Sequence, residues 1–449
     1  MCNGTIMDKL ISFSIPLMLS GILQLMFNAV DIVVVGRFSG SQALAAVGST
    51  TALINVFTNL FIGISLGANV LAARYYAAGK TKEMSETVHT AIALALVSGV
   101  AMAVIGVVFA KGALEIMGTP DDVIAKSTLY MRIYFCGMPF FMMYNYGAAI
   151  LRAVGDTKRP LIFLIVSGVI NAVLNLFLVI GFHLDVAGVG IATVISQLVS
   201  CILVLRCLHH TESSYQLHLA KLRIRSVYLK RIFEVGVPAG IQSTVINISN
   251  AMLQSSVNSF GSIAMAGYTA SNNIFGFLYV SVNSFTQACM SFTSQNYGVK
   301  KLKRMDRVLI DCMILSVVVT LILGSSVYIF GPELLHIYSN QADVIKYGME
   351  IFSYTTVTYF LCGLMDLFPG ALRGMGYSTV PMILSIIGTV GVRIIWIYGL
   401  FPSHRSLTFL FLSYPVSWIA TIIMQVICFY FVRRHVHRTH KDTESLAEA

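Results

Sequence analysis

From Val235 to Val299 the chain runs 65 residues without an Asp, Glu, Lys or Arg. A stretch that long has no place in the interior of a water-soluble domain, whereas one bilayer crossing needs only about 20 apolar residues. The run therefore reads as two crossings joined by a turn near Gly261. Composition agrees over the whole 449 residues, which are 56% hydrophobic and 11% charged with a mean hydropathy of +0.78. Such a chain is dissolved in lipid rather than closed around one aqueous core. Charge-free runs at Phe38–Ala73, Gly374–Val392 and Ser406–Val432 fit single crossings. The expected fold is an all-α membrane protein with twelve transmembrane helices, centred near Leu23, Ile62, Gly99, Pro139, Val169, Ser196, Val245, Val282, Val319, Tyr359, Ile386 and Ile419.

The first apolar run, Leu10–Val35, is as long as a crossing and has no small-residue cleavage site behind a short core, so it reads as the first span rather than a signal peptide. If odd spans leave the cytoplasm and even spans return, 23 of the 30 Lys and Arg fall on the cytoplasmic side. That asymmetry places both termini in the cytoplasm of a multi-pass cell-membrane protein. The net charge of +10 is then a topology signal facing an anionic leaflet. Nucleic-acid binding is excluded, since it would need a basic soluble domain. The eight cysteines are scattered singly and read as small apolar residues. His435, His437 and His440 lie among arginines in the tail, a poor metal site. No cofactor is expected from these residues.

Nearly the same ten residues occur twice, LRAVGDTKRP at Leu151–Pro160 and LRGMGYSTVP at Leu372–Pro381, 221 positions apart. The same offset pairs Gly40 with Gly261, Ala45 with Ala266, Tyr76 with Tyr297, Lys80 with Lys301, and Asp122-Val-Ile with Asp343-Val-Ile. One gapless offset held through loops and helices marks duplication of a six-helix unit. Six is even, so both copies start on the same face and the lobes are parallel, related by an axis along the membrane normal. The decapeptide is a turn: Gly155 and Gly376 end a helix, Arg152 and Arg373 meet the headgroups, and Pro160 and Pro381 open the next helix. The long polar link at His209–Arg231 contains HLAKLRIRS, either a short interfacial strand or a basic loop. The lobes are accordingly divided at residues 1–212 and 213–449.

Polar residues inside the spans carry the functional reading. Asp31 is the one acid of the first span core, and a carboxylate within a crossing costs about 2.5–3.5 kcal/mol, so it is either functional or shallow enough to reach water. Gln24, Asn28 and Asp31 form a stripe on one face, above a bend at Pro16. Asn171 and Asn175 lie one turn apart in the fifth span and Thr193 in the sixth; such amides serve equally as interhelical glue. The seventh span (Gln242, Asn247, Asn250, Gln254, Asn258) and the eighth (Asn272, Asn273, Asn283, Gln287) are unusually polar and read as lining a wet cavity. Asp366 in the tenth span either meets a cationic substrate or pairs with Arg373. The buried charges found this way are mostly acidic. The 21 methionines and many phenylalanines read as packing or lipid-facing surface, though they would also suit flat cations.

With IPLMLSGILQLMFNAVDIVVVGRFSGSQALAAVG near the start, the paired LR-x-x-G turns and VGVPAGIQ opening the second half, the chain resembles the multidrug and toxic compound extrusion (MATE) exporters over nearly its whole length. The resemblance implies a coupling cation, Na+ or H+, held in the first lobe by Asp31, Asn171, Asn175 and Thr193. Some relatives carry a second acid where this chain has Asn175, so the site holds one formal charge. Others carry a glutamate in the seventh span, which is absent here. Gln24, Asn28 and Asp366 are the candidate substrate contacts. The expected function is a secondary antiporter that exports organic, cationic amphiphilic compounds. The alternative is a lipid-linked oligosaccharide flippase of the same superfamily, which would favour a strongly cationic cavity. An enzyme is not expected: there is no GxxxxGK[ST] loop and no interfacial cluster of acids or histidines. The expected partners are small organic molecules and the lipid bilayer, and nothing in the residues calls for an oligomer.

Overall fold

The computed structural model describes the backbone of residues 1–448, with side chains for all of these except Ser41, Ala52 and those from 440 onward. Seven helices make the first half: α1 (Met7–Phe38), α2 (Ser41–Ala77), α3 (Thr81–Ile116), α4 (Asp121–Cys136), α5 (Met138–Ala153), α6 (Lys158–Leu176) and α7 (Asp185–His209). The second half holds α8 (Ser226–Asn258), α9 (Ser262–Gly298), α10 (Leu302–Ile329), α11 (Gly331–His336), α12 (Ala342–Thr355), α13 (Tyr359–Gly374), α14 (Thr379–Ser385), α15 (Val392–Ile395), α16 (Leu407–Phe411) and α17 (Ser413–Glu448).

All twelve expected centres fall on helices or on a break within one span. Eight described helices are long and apolar enough to cross a bilayer outright. α8 and α9, with 33 and 37 residues, are long enough but carry the amide-rich sequences that lower their hydropathy. The remaining two spans are broken in the middle. α4 and α5 meet at Gly137, where Pro139 opens α5, and α12 and α13 meet at a bend of 53°. In the second break, the hydroxyls of Thr356 and Thr358 donate to the carbonyls of Phe352 (2.5 Å) and Tyr354 (2.8 Å), a back-bonding that bends helices. Gly137 and Thr358 are related by the 221-residue offset, so the duplication extends to the broken spans.

Backbone geometry repeats at the turns as well. Gly40 and Gly261 precede α2 and α9 with φ of 89° and 100°. Gly155 and Gly376 have φ of 101° and 97°, and their amides donate to Arg152 (3.0 Å) and Arg373 (2.8 Å). These positive φ values are open to glycine at no steric cost. At the ends of α2 and α9 the pair is Gly79 and Lys300, with φ of 68° and 61°, so a lysine occupies the left-handed position in the second copy.

The described chain packs as two compact units, one comprising Ile15–Gly240, the other Met1–Ser14 and the chain from Ile241 on. The repeat boundary, drawn in the link at 212/213, thus differs from the packing boundary, which runs through α1 and α8. The start of α8 is held in the first unit by two glycine pairs. Gly63-Ile-Ser-Leu-Gly67 on α2 and Gly236-Val-Pro-Ala-Gly240 on α8 lie backbone to backbone: a Cβ on Gly63 would strike Gly240, and one on Gly67 would strike Ile232 O. Without a hydrophobic driving force between helices in lipid, such small-residue contacts supply the dispersion that holds them. In the other unit, Phe13 of α1 meets Phe292 of α9 edge to face at 5.5 Å. The outer surfaces expose large apolar side chains, among them Phe109 (63%) and Ile322 (61%), suited to hydrocarbon and not to water.

The basic link is a loop with one short turn at Leu219–Lys221 and no strand among its residues. Glu86 of α3 pins it through Arg223 (2.5 Å) and Arg225 (3.2 Å), while Leu217 is fully buried.

Candidate functional site

Gly168 lets the ring of Phe27 lie directly on α6, since any side chain there would occupy the ring's place. One turn further along α1 comes Asp31, and two turns further along α6 comes Asn175, both on the faces that Phe27 and Gly168 bring together. The Asn175 amide donates to Asp31 Oδ1, and also to Asn171 Oδ1 at 3.2 Å. Asn171 Nδ2 lies 3.5 Å from Thr193 Oγ1, which itself donates to Val189 O at 2.9 Å. The four residues expected from the resemblance are therefore contiguous, spread over α1, α6 and α7. Asn175 is fully buried and Asn171 nearly so. Asn175 Oδ1 is sealed and accepts no hydrogen bond. The π-turn Phe177–Gly181 begins two residues after Asn175, a local widening that recurs at functional sites.

Two residues of this cluster escaped the sequence reading. Tyr130 and Tyr134 of α4 stand one turn apart, their rings 6.1 Å from each other, close enough to Asp31 to interact with its charge. The signal for them was two tyrosines at i and i+4, which share one face of the helix. Gln24 and Asn28 do not join the cluster; they are exposed on α1.

The second unit departs from expectation. Arg373 is 8% exposed, not at the headgroups, and its Nη2 donates to Gln242 Oε1 at 2.6 Å. It makes no ion pair with Asp366 among the described residues; the two only sense each other's charge, and Tyr279 of α9 lies near Asp366 as well. Arg393 was missed altogether. It is 3% exposed on α15, and its Nη1 donates to Asn250 Oδ1 at 2.7 Å. The expectation that buried charges are mostly acidic is thereby corrected: two guanidinium groups are buried in this unit. Part of the α8 polar stripe serves them, Gln242 for Arg373 and Asn250 for Arg393. Asn247, Asn258, Asn272, Asn273 and Asn283 are exposed, which at membrane depth calls for water beside them. Of the tail histidines, His437 lies 3.9 Å from Asp306, and His440 is outside the described side chains.

Comparison with known proteins agrees with this architecture. The MatE family model matches residues 16–177 and again 238–398, one match for each half of the repeat. A Bacillus subtilis protein, the probable multidrug resistance protein YoeA, is 28% identical over 422 residues, covering 92% of this chain and 91% of the relative. The multidrug export protein MepA of Staphylococcus saprophyticus is 23% identical over 406 residues, covering 89% of each. Among solved structures, a multidrug resistance MATE family transporter of the MOP superfamily in an outward-facing conformation superposes with a TM-score of 0.88 at 20% identity, over 98% of this chain and 97% of the other. The MATE structure in its bent conformation gives 0.87 at 19% identity, covering 98% of both. With both halves matched and the twelve helices in two lobes, the chain belongs to the MatE family of membrane transporters, not to an enzyme family.

Proposed function

We propose that this chain is a secondary antiporter of the cell membrane, with both termini in the cytoplasm, that expels organic cationic amphiphiles against inward flow of Na+ or H+. The observation that carries the reading is the sealed, unpaired Asn175 Oδ1 beside the Asp31 carboxylate. A buried acceptor without a donor is costly, and a bound cation relieves that cost. Asp31, Asn171, Asn175 and Thr193 each carry a side-chain oxygen, the donor type that suits a hard monovalent cation. A proton on Asp31 would neutralise the same single charge. Ion and organic cation then compete for one carboxylate, and this mutual exclusion couples the two flows. The names of YoeA and MepA support drug-like substrates, small molecules rather than lipid-linked sugars.

The test is efflux from membrane vesicles with a sodium gradient and a pH gradient imposed separately, in wild type and Asp31→Asn. One gradient should drive wild-type export. Asp31→Asn should reach the membrane yet lose gradient-driven export by about 5- to 150-fold, the span of ordinary coupling energies. Wild-type export by Asp31→Asn with unchanged ion dependence would refute the first-lobe mechanism.

A further inference from the structure

Arg393 is a buried cation without an anion. Its Nε points to Ser417 Oγ at 3.3 Å, its Nη1 to Asn250 Oδ1 at 2.7 Å and Ser249 Oγ at 3.5 Å, and its guanidinium stands 4.7 Å over the Tyr414 ring. Every one of those partners is neutral. None of the ion pairs among the described residues includes Arg393. The groups that feel its charge are the Tyr414, Tyr268 and Tyr359 hydroxyls and the Cys362 thiol, with no carboxylate among them. Nη2 donates to nothing among the described residues, and it is not among the sealed unpaired atoms, unlike Arg373 Nε. Asn250, which reaches Arg393 from α8, is itself exposed, so the guanidinium edge is approached from the wet polar face of that helix.

We propose that Arg393 is a binding point for the carboxylate of organic solutes, held through Nη2, with the aromatic body of the solute against Tyr414. An ionised side chain kept at membrane depth faces a pathway or a partner, and here no protein partner balances it. Guanidinium forks match carboxylates in plane, and the half-buried Tyr414 ring beside the guanidinium is backed by the buried Trp418, 5.6 Å away. The site deepens the export reading above by adding a point of recognition for the anionic group of a solute. Its recognition chemistry does not depend on which ion drives transport.

The test is equilibrium binding to the purified full-length protein in nanodiscs, without gradients, so that a failure of antiport leaves the outcome readable. The probes are a carboxyphenyl xanthene dye as its zwitterionic free acid and the same dye as its cationic methyl ester, followed by fluorescence anisotropy. Arg393→Gln should weaken the acid by about tenfold or more and leave the ester within about twofold. Asn250→Asp places a permanent carboxylate next to the intact guanidinium, and should weaken the acid to the same degree while keeping the fold; it carries the test alone if Arg393→Gln does not fold. Equal weakening of acid and ester would show Arg393 to be only a brace for α8, α15 and α17. Unchanged acid binding in Asn250→Asp, or no saturable acid binding by wild type, would also overturn the assignment.

Discussion

Asn175 illustrates how a neutral side chain sets the character of a charged one. Its amide is committed twice, to Asp31 and to Asn171, which leaves its own oxygen free in a sealed place. Asn175→Asp would remove those donors and add a second charge, so the variant should bind the coupling cation more tightly, by about tenfold, and shift export toward lower ion concentration. Isothermal titration with Na+ and drug efflux at stepped pH read the two effects. Asp366 makes a different case. Since Arg373 donates its Nη2 to Gln242 and makes no ion pair with Asp366 among the described residues, Asp366→Asn orphans no ion pair and should fold normally. As a substrate contact, it should weaken binding of cationic drugs by about tenfold and of neutral ones hardly at all; equal losses would mark it as structural. Sequence inspection identified Asp31, Asn171, Asn175 and Thr193 because polar atoms are conspicuous in apolar spans. It missed Arg393 because a charge there reads as the end of a span, and only packing shows the side chain wrapped by Asn250, Ser249 and Ser417.

Helix ends and crossings carry the next level of stability. α2 and the start of α8 approach through Gly63, Gly67, Gly236 and Gly240, with backbone atoms as the obstacle to any Cβ. Backbone cannot swing aside as a flexible side chain can, so Gly240→Val should destabilise by about 3 kcal/mol, the upper end for overpacking. A thermal unfolding series in detergent would show it, with the exposed Ile248→Val as a control of little effect. Lys300 offers the opposite sign. At φ 61° it pays the left-handed strain that Gly79 avoids, so Lys300→Gly should stabilise by about 1 kcal/mol and raise the melting midpoint, while Gly79→Lys should lower it. The glycine pairs were present in the sequence as GISLG and GVPAG, but a spacing alone does not say which two helices meet. Nor did hydropathy separate a straight span from the broken ones, because Gly137 and the Thr356–Thr358 turn interrupt the helix without interrupting the apolar run.

At the scale of the whole molecule, six spans per half require that corresponding turns share a face. Reporter fusions after Lys82, Arg159 and Lys303 should therefore all read cytoplasmic, and fusions near Lys111, Asp185 and His404 should all read external. Opposite readings after Arg159 and near residue 380 would break the parallel repeat. The sequence by itself determined the solvent, the number of spans and the duplication, because burial in lipid is a sum over local side chains and an offset of 221 residues survives wherever helices and turns are copied in order. Tertiary structure alone decided which polar groups meet, since Asp31 and Asn175 are 144 residues apart and their bond depends on how closely α1 and α6 approach at Gly168. It also decided that the ends of α1 and α8 pack across the repeat boundary and that two guanidinium groups are buried in the second unit. Those outcomes follow from shape, where backbones come close and which donors find acceptors, and neither is a local property of the chain.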